Sequence, residues 1–262
     1  LYKLESTGFG GCLADDMGLG KTLQVITLLQ LFKNRHAKLR AIIVLPSTLI
    51  FNWQNEIEKF APSLRTATYF GPERTKYLES TNWDILFTTY GILRMDATKL
   101  ATLDFDYAIL DEAQAIKNAD SQTAAAAKCL NAAHRLTLTG TPIENSIAEL
   151  FSQLDFLNPG LFGAAFIKNA TKTTATLKHD ALMRLQNFLC PFLLRRKKED
   201  VAKDLPQKTE QILWCELEGK QKGKYEELRN YYQTQFADNA ENGTAGAKDM
   251  LQGLLRLRQT AC

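Results

Sequence analysis

Cysteine is scarce in this chain of 262 residues: there are five, at positions 12, 129, 190, 215 and 262. No two form a CxxC pair, and their number is odd. This argues against a zinc site and against a disulfide framework, and fits reduced thiols inside a cell. His36, His134 and His179 have no metal-ligand spacing, so they read as surface or internally satisfied side chains. No apolar run approaches the roughly 20 residues of a membrane span. Lys3 and Glu5 interrupt the only early apolar residues, so no signal peptide is expected. There is no internal repeat. A strong charge bias is also missing: 32 Lys and Arg against 29 Asp and Glu leave +3. That balance permits a polyanionic partner without demanding one. The first residue is not methionine and the last is Cys262, so the chain reads as a piece of something longer.

What is present is ordinary globular material, 45% apolar and 23% charged, enough for one or two domains. Short apolar runs recur at Gly11–Ala14, Ala41–Leu45, Asp84–Thr88, Tyr107–Leu110 and Arg135–Leu138. They do not alternate, as expected of strands buried on both faces. Helical patterns lie between them. Thr22–Phe32 is apolar nearly all round and should be buried, and Ser121–Ala133 is Ala-rich. The alternation predicts an α/β fold, a parallel sheet with helices on both faces. Glu144–Leu157 reads as a further helix, with Ser146 and Glu149 at capping-box spacing. The rhythm stops at Asn158-Pro159-Gly160, after which the chain turns helical and basic up to Arg195–Lys198. Thr209–Leu217 alternates like a strand, Gly219–Ala237 reads as an amphipathic helix, and Asp238–Asp249 reads as a mobile, Gly- and Asn-containing stretch.

Two segments carry chemistry. Strand Gly11–Ala14 runs into Asp15-Asp16-Met17-Gly18-Leu19-Gly20-Lys21-Thr22 and then into a helix. A loop that wraps a triphosphate needs inward-pointing N–H groups, glycine where side chains would collide, and a helix N-terminus beneath the phosphates. Lys21 is then expected to reach the β- and γ-phosphates and the Thr22 hydroxyl to hold Mg²⁺. The strict pattern has glycine where this chain has Asp15, a departure compatible with helicase-type loops. Farther on, strand Tyr107–Leu110 delivers Asp111 and Glu112 to its C-terminal end, the edge where open parallel sheets bind ligands. Asp111 is expected on Mg²⁺ and Glu112 at the water that attacks the γ-phosphate.

Asp15–Thr22 (DDMGLGKT), Asp111–Asn118 (DEAQAIKN) and Thr137–Asn145 (TLTGTPIEN) together resemble superfamily 2 helicase-like ATPases of the SWI/SNF type. Supporting matches run through Ile42–Phe60, Leu86–Leu93, Phe156–Gly163, Leu193–Lys208 and Leu254–Cys262, and the DEAQ and GTPIEN wording looks prokaryotic. The resemblance implies a RecA-like, ATP-binding lobe over residues 1–158, a helical insertion over 159–205, and a lead-in over 206–262 toward a second RecA-like lobe. It places the adenine-reading glutamine motif before residue 1 and the second lobe, with its arginine fingers, beyond Cys262. It implies ATP held by Asp16, Met17, Gly18, Leu19, Gly20, Lys21 and Thr22, and catalysis by Lys21, Asp111 and Glu112.

Gln114, Thr139 and Thr141 are the implied coupling residues between γ-phosphate and DNA; a strand-ending turn with hydroxyl caps would explain the two threonines equally. Ser47, Asn52, Thr88 and Thr89 are implied contacts to the DNA backbone. Trp53 and Tyr90 fit either that role or core packing. Arg195, Arg196 and Lys197 fit either a solvated face or a contact to DNA or the other lobe. The implied activity is an ATPase translocating on double-stranded DNA and remodelling protein–DNA complexes, with DNA-bound proteins or RNA polymerase as its targets. The setting would be the nucleoid of a prokaryotic cytoplasm, or a nucleus. An ATP-regulated protein-interaction module without translocation is the alternative.

Overall fold

The computed structural model describes residues 1–80, 82–140, 147–161, 187, 189–201, 209, 211–241 and 247–261. They divide into two compact units, Leu1–Leu205 and Pro206–Cys262.

The first unit has the strands β1 (Gly11–Leu13), β2 (Ala41–Val44), β3 (Thr66–Thr68), β4 (Ile85–Thr88), β5 (Asp104–Leu110), β6 (Asn131–Leu138) and β7 (Leu193–Leu194). They form one sheet in the order β3-β4-β2-β5-β6-β1-β7, and every pairing is parallel. Its described helices include α1 (Tyr2–Thr7), α2 (Lys21–His36), α3 (Ile50–Phe60), α4 (Lys76–Glu79), α5 (Tyr90–Met95), α6 (Ala97–Leu100), α7 (Gln122–Lys128) and α8 (Ile147–Leu157). The period of two along each strand divides its side chains between two cores. Leu13, Ile43, Phe87, Ile109 and Leu138 pack with Val25, Ile26 and Leu29 of α2 and with Trp53 and Ile57 of α3. Cys12, Ile42, Leu86, Ala108 and Leu110 pack on the opposite face with Leu93, Leu100, Ala124, Phe151 and Leu154. Burial on both faces is why these strands read as unbroken apolar runs, and the expected parallel α/β architecture is what forms.

The register brings the strand ends to one edge. Val44 lies opposite Thr88 and Leu110, Leu110 opposite Thr137, and Leu13 opposite Leu138. The segments following β1, β2, β4, β5 and β6 therefore emerge side by side.

Several local expectations are corrected. Helix α2 is not buried all round: Leu23 and Leu31 are exposed on the side away from the sheet. The Ala-rich helix stops at Lys128, because Asn131 and Ala132 pair with Asp104 and Phe105 and extend β6. Its start is as the sequence suggests, with Ser121 Oγ accepting from the Ala124 N–H. The edge strand β3 has only three residues, too few to carry a pattern in the sequence. Leu193–Leu194, expected within a helical insertion, instead adds the seventh strand beside β1. The expected start of α8, including Ser146, lies outside the described residues, as do 162–186. His134 is not satisfied: it stacks at 5.0 Å on Tyr107, and its Nδ1 is buried without a hydrogen-bond partner.

In the second unit, helices Gly219–Glu241 and Ala247–Ala261 pack on each other. Gly253 permits the approach, since a Cβ there would stand 3.1 Å from the Tyr232 ring. Gln221 Nε2 donates to the Thr260 carbonyl at 2.9 Å. The alternating stretch is no strand where it is described: 211–218 is irregular, with Ile212, Leu213 and Trp214 exposed. Alternation alone makes no strand without a neighbour to pair with. Residues 238–241 and 247–249, read as mobile, are helical, and 242–246 lie outside the described residues.

Candidate functional site

Strand β1 ends at Leu13, and Asp15–Gly20 forms the turn into α2. Gly18 and Gly20 have φ of 86° and 73°, the left-handed region that glycine occupies without strain. Gly20 is the N-cap of α2 and contributes no side-chain cap, so the first N–H groups of the helix are left for a ligand. A Cβ on Gly20 would meet nothing within 4 Å. Open space, uncapped N–H groups and positive-φ glycines fit a phosphate chain. Lys21 Nζ lies along this turn, donating to the carbonyls of Asp15 at 2.7 Å and Asp16 at 3.4 Å. Thr22 is half-buried in the first turn of the helix, and Met17 is exposed beside Gly140.

Two strands away, β5 presents Asp111 and Glu112 at the same edge. Asp111 is 7% exposed. Its Oδ2 accepts from Trp53 Nε1 at 2.8 Å and its Oδ1 from the Glu112 N–H at 2.9 Å. Tyr90 donates its hydroxyl to the Asp111 carbonyl at 2.7 Å. Burial pushes the Asp111 carboxyl above its ordinary value; the Trp53 and Glu112 hydrogen bonds and the Lys21 charge oppose it without cancelling it. Burial, followed by the nearby Asp111 and Glu112 charges, pushes Tyr90 well above its own. Glu112 has φ 51° and ψ 55°, an uncommon conformation for a side-chain-bearing residue. Its Oε2 accepts from Gln114 Nε2 at 2.9 Å, and Gln114 Oε1 accepts from the Thr139 hydroxyl at 3.4 Å. Thr139, at the end of β6, thus reaches Glu112 through Gln114. Thr141 lies outside the described residues.

The expected DNA-facing residues divide. Ser47 and Asn52 are exposed at and after the end of β2, and Arg195 and Lys197 are exposed beyond β7. Thr89 is half-buried and caps α5, accepting from the Ile92 N–H. One expectation is overturned and another is narrowed. Thr88 is fully buried, and its hydroxyl donates to the Tyr69 carbonyl, so it offers nothing to a DNA backbone. Arg196 is more than part of a solvated face: its guanidinium, on a side chain 41% exposed, grips the carboxylate of Asp15, inside the phosphate turn. For Trp53 and Tyr90, packing inside the lobe is the correct reading, with a refinement the sequence did not signal: both hold Asp111. Trp53 in particular is an indole on a helix, with nothing local to mark Asp111 as its acceptor.

The SNF2-related domain family model matches residues 1–262. YwqA of Bacillus subtilis, an ATP-dependent helicase/translocase by name, is 38% identical over 238 residues, covering 87% of this chain and 26% of that protein. The chromatin-remodeling ATPase INO80 of Sclerotinia sclerotiorum is 34% identical over 269 residues, covering 94% of this chain and 16% of that protein. Among solved structures, the Sulfolobus solfataricus SWI2/SNF2 ATPase core in complex with dsDNA superimposes with a TM-score of 0.72. It is 37% identical, and the match covers 98% of this chain and 55% of that one. The chain thus spans about a quarter or less of the length of these curated relatives. Sequence motifs, sheet order and family match agree: the chain belongs to the SNF2-related domain family.

Proposed function

We propose that this chain is the ATP-binding half of a DNA-dependent ATPase that translocates on double-stranded DNA and remodels protein–DNA complexes. The observation that carries the reading is the meeting, at one sheet edge, of an uncapped helix N-terminus bearing Lys21 with the Asp111–Glu112 pair. In this reading the N–H groups of the turn and of α2 cradle the phosphates, and Lys21 leaves the loop carbonyls to pair with them. Thr22 and Asp111 would hold Mg²⁺, whose charge offsets that of the polyphosphate. Trp53 would steady the Asp111 carboxylate through its hydrogen bond to one oxygen. Glu112 orients the attacking water and accepts its proton, with Gln114 holding the carboxylate in place. The chain Glu112–Gln114–Thr139 gives the γ-phosphate position a connection to the end of β6.

For the DNA side, the candidates are the exposed Ser47, Asn52, Arg195 and Lys197, together with Thr89. Hydroxyl, amide and basic groups suit phosphate contacts, which position a protein without reading bases. That a similar ATPase core has been solved with dsDNA supports a duplex as the track. A second RecA-like lobe would complete the nucleotide site, and DNA-bound proteins or RNA polymerase in the nucleoid, or in a nucleus, would be what the motor displaces. The test is the ATPase rate of the full-length protein with duplex DNA, single-stranded DNA, RNA or no nucleic acid. Stimulation by duplex above the other three is expected. Equal rates in all four would overturn the translocase reading.

A further inference from the structure

The segment after β7 lies against the phosphate turn along its length. The Ala14 N–H donates to the Leu194 carbonyl at 2.7 Å and the Asp16 N–H to the Arg196 carbonyl at 3.1 Å, extending the β1–β7 ladder beyond the strands. In return the Arg196 N–H donates to Asp15 Oδ1 at 2.9 Å and the Lys198 N–H to Asp16 Oδ2 at 3.0 Å. A Cβ on Gly18 would stand 3.3 Å from Lys198 Nζ, so the strap also passes over the tip of the turn. At its centre is one ion pair. Asp15 is fully buried, and Arg196 contacts both of its oxygens through Nε and Nη2 while Nη2 also donates to Gln24 Oε1 at 3.1 Å. Burial pushes the Asp15 carboxyl up, but the bonds from Arg196 and Gln24 outweigh it and hold the group below its ordinary value, hence ionised.

Asp15 occupies the position where a strict phosphate loop has glycine. A buried carboxylate at the mouth of a polyanion site repels the ligand, and the backbone carbonyl of Asp15 is one of the two that hold Lys21. We infer that Arg196 is a positioning residue for the nucleotide: by pairing with Asp15 it neutralises the carboxylate beside the phosphates and fixes the turn that carries Lys21. The inference rests on the ATP-site reading above, and assigns the departure at Asp15 a partner 181 residues away.

The test is equilibrium titration of the full-length protein with fluorescent ATP and ADP analogues. Arg196→Ala should weaken ATP binding roughly tenfold or more, and ADP binding less, because the repulsion grows with ligand charge. Removing the carboxylate as well, in Arg196→Ala/Asp15→Asn, should restore most of the loss, and Arg196→Lys should retain part of the affinity. ATP binding unchanged in Arg196→Ala, or a double variant as weak as the single, overturns the inference. If Arg196→Ala does not fold, as judged by thermal melting, Asp15→Asn decides: charge neutralisation predicts ATP affinity equal to or above that of the unaltered protein, and a lower affinity refutes it. Failure of the unaltered protein to bind ATP, or full binding by Lys21→Ala, would count against the site reading itself.

Discussion

Glu112 shows how a single residue's backbone and side chain serve one purpose. Its positive φ costs on the order of 1–3 kcal/mol, and it is the turn at Glu112 that lets the side chain meet Gln114. In the proposed mechanism, Glu112→Gln removes the proton acceptor and leaves Lys21, Thr22 and Asp111 in place. Turnover in the full-length protein should fall about 10²–10⁴-fold while nucleotide binding persists; a normal rate would show that Glu112 is not the base. Lys21→Ala should instead weaken nucleotide binding together with turnover, read by the same titration. Trp53→Phe tests the role found only in the structure. It keeps an aromatic ring in the core and deletes the N–H bonded to Asp111. Loss of one hydrogen bond to a buried carboxylate costs about 1–3 kcal/mol, so a slower turnover with intact DNA binding is expected.

At the scale of elements, the lobe depends on tight joints between segments far apart in sequence. Gly10 precedes β1 against the end of α8: its N–H donates to Asn158 Oδ1 at 2.8 Å, and a Cβ there would collide with the Leu157 carbonyl and stand 2.8 Å from that of Arg135. Gly10→Ala should therefore destabilise the protein by about 1–3 kcal/mol, measured as a lower denaturation midpoint. Asp84 makes a second joint, at the head of β4. It is 2% exposed and accepts from Lys33 Nζ at 3.0 Å and the Arg65 N–H at 2.7 Å. Burial pushes its carboxyl up, and the Arg65 and Lys33 bonds outweigh this and bring it below the ordinary value. A lowered value in the folded state means stability that is complete above the unfolded-state pKa of about 4 and is lost as pH falls through the folded-state value. Asp84→Asn should flatten the dependence of Tm on pH below about pH 4; an acid limb identical to that of the unaltered protein would assign the effect elsewhere.

For the molecule as a whole, the match to a solved ATPase core covers 98% of this chain but only 55% of that core. Positive charge delivered to the transition state from a partner surface is commonly worth about 10³–10⁵ in rate. Residues 1–262 alone should therefore hydrolyse ATP at a small fraction of the full-length rate, and a comparable DNA-stimulated turnover from both would contradict a site completed by a second lobe. Duplex binding by the full-length protein should be nearly indifferent to base sequence and fall steeply with salt. Each neutralised phosphate adds about −0.9 to the slope of log affinity against log salt. Changing Arg195 and Lys197 to alanine, with Arg196 left on Asp15, should flatten that slope; an unchanged slope would make both of them solvated residues.

The sequence alone was enough for whatever is written in short range. Apolar runs buried on both faces predicted a parallel sheet, and five of its seven strands were legible in outline. Glycine spacing, Lys21 and the Asp111–Glu112 pair point to the proposed phosphate chemistry, because a phosphate loop and a strand-end acid pair are local patterns. What spacing does not carry is which distant side chain completes a charge or a hydrogen bond. Ser121–Ala133 has helical composition throughout, yet Asn131 joined a strand because Asp104 offered it a ladder. Thr88 looked like a surface hydroxyl until the sheet buried it, and Trp53 acquired its partner only when β5 came to lie beside β2. The run around Arg196 had the composition of a solvated face. Its true neighbour, Asp15, is a buried carboxylate that needed a cation, and only the return of β7 to the edge of β1 brought one within reach.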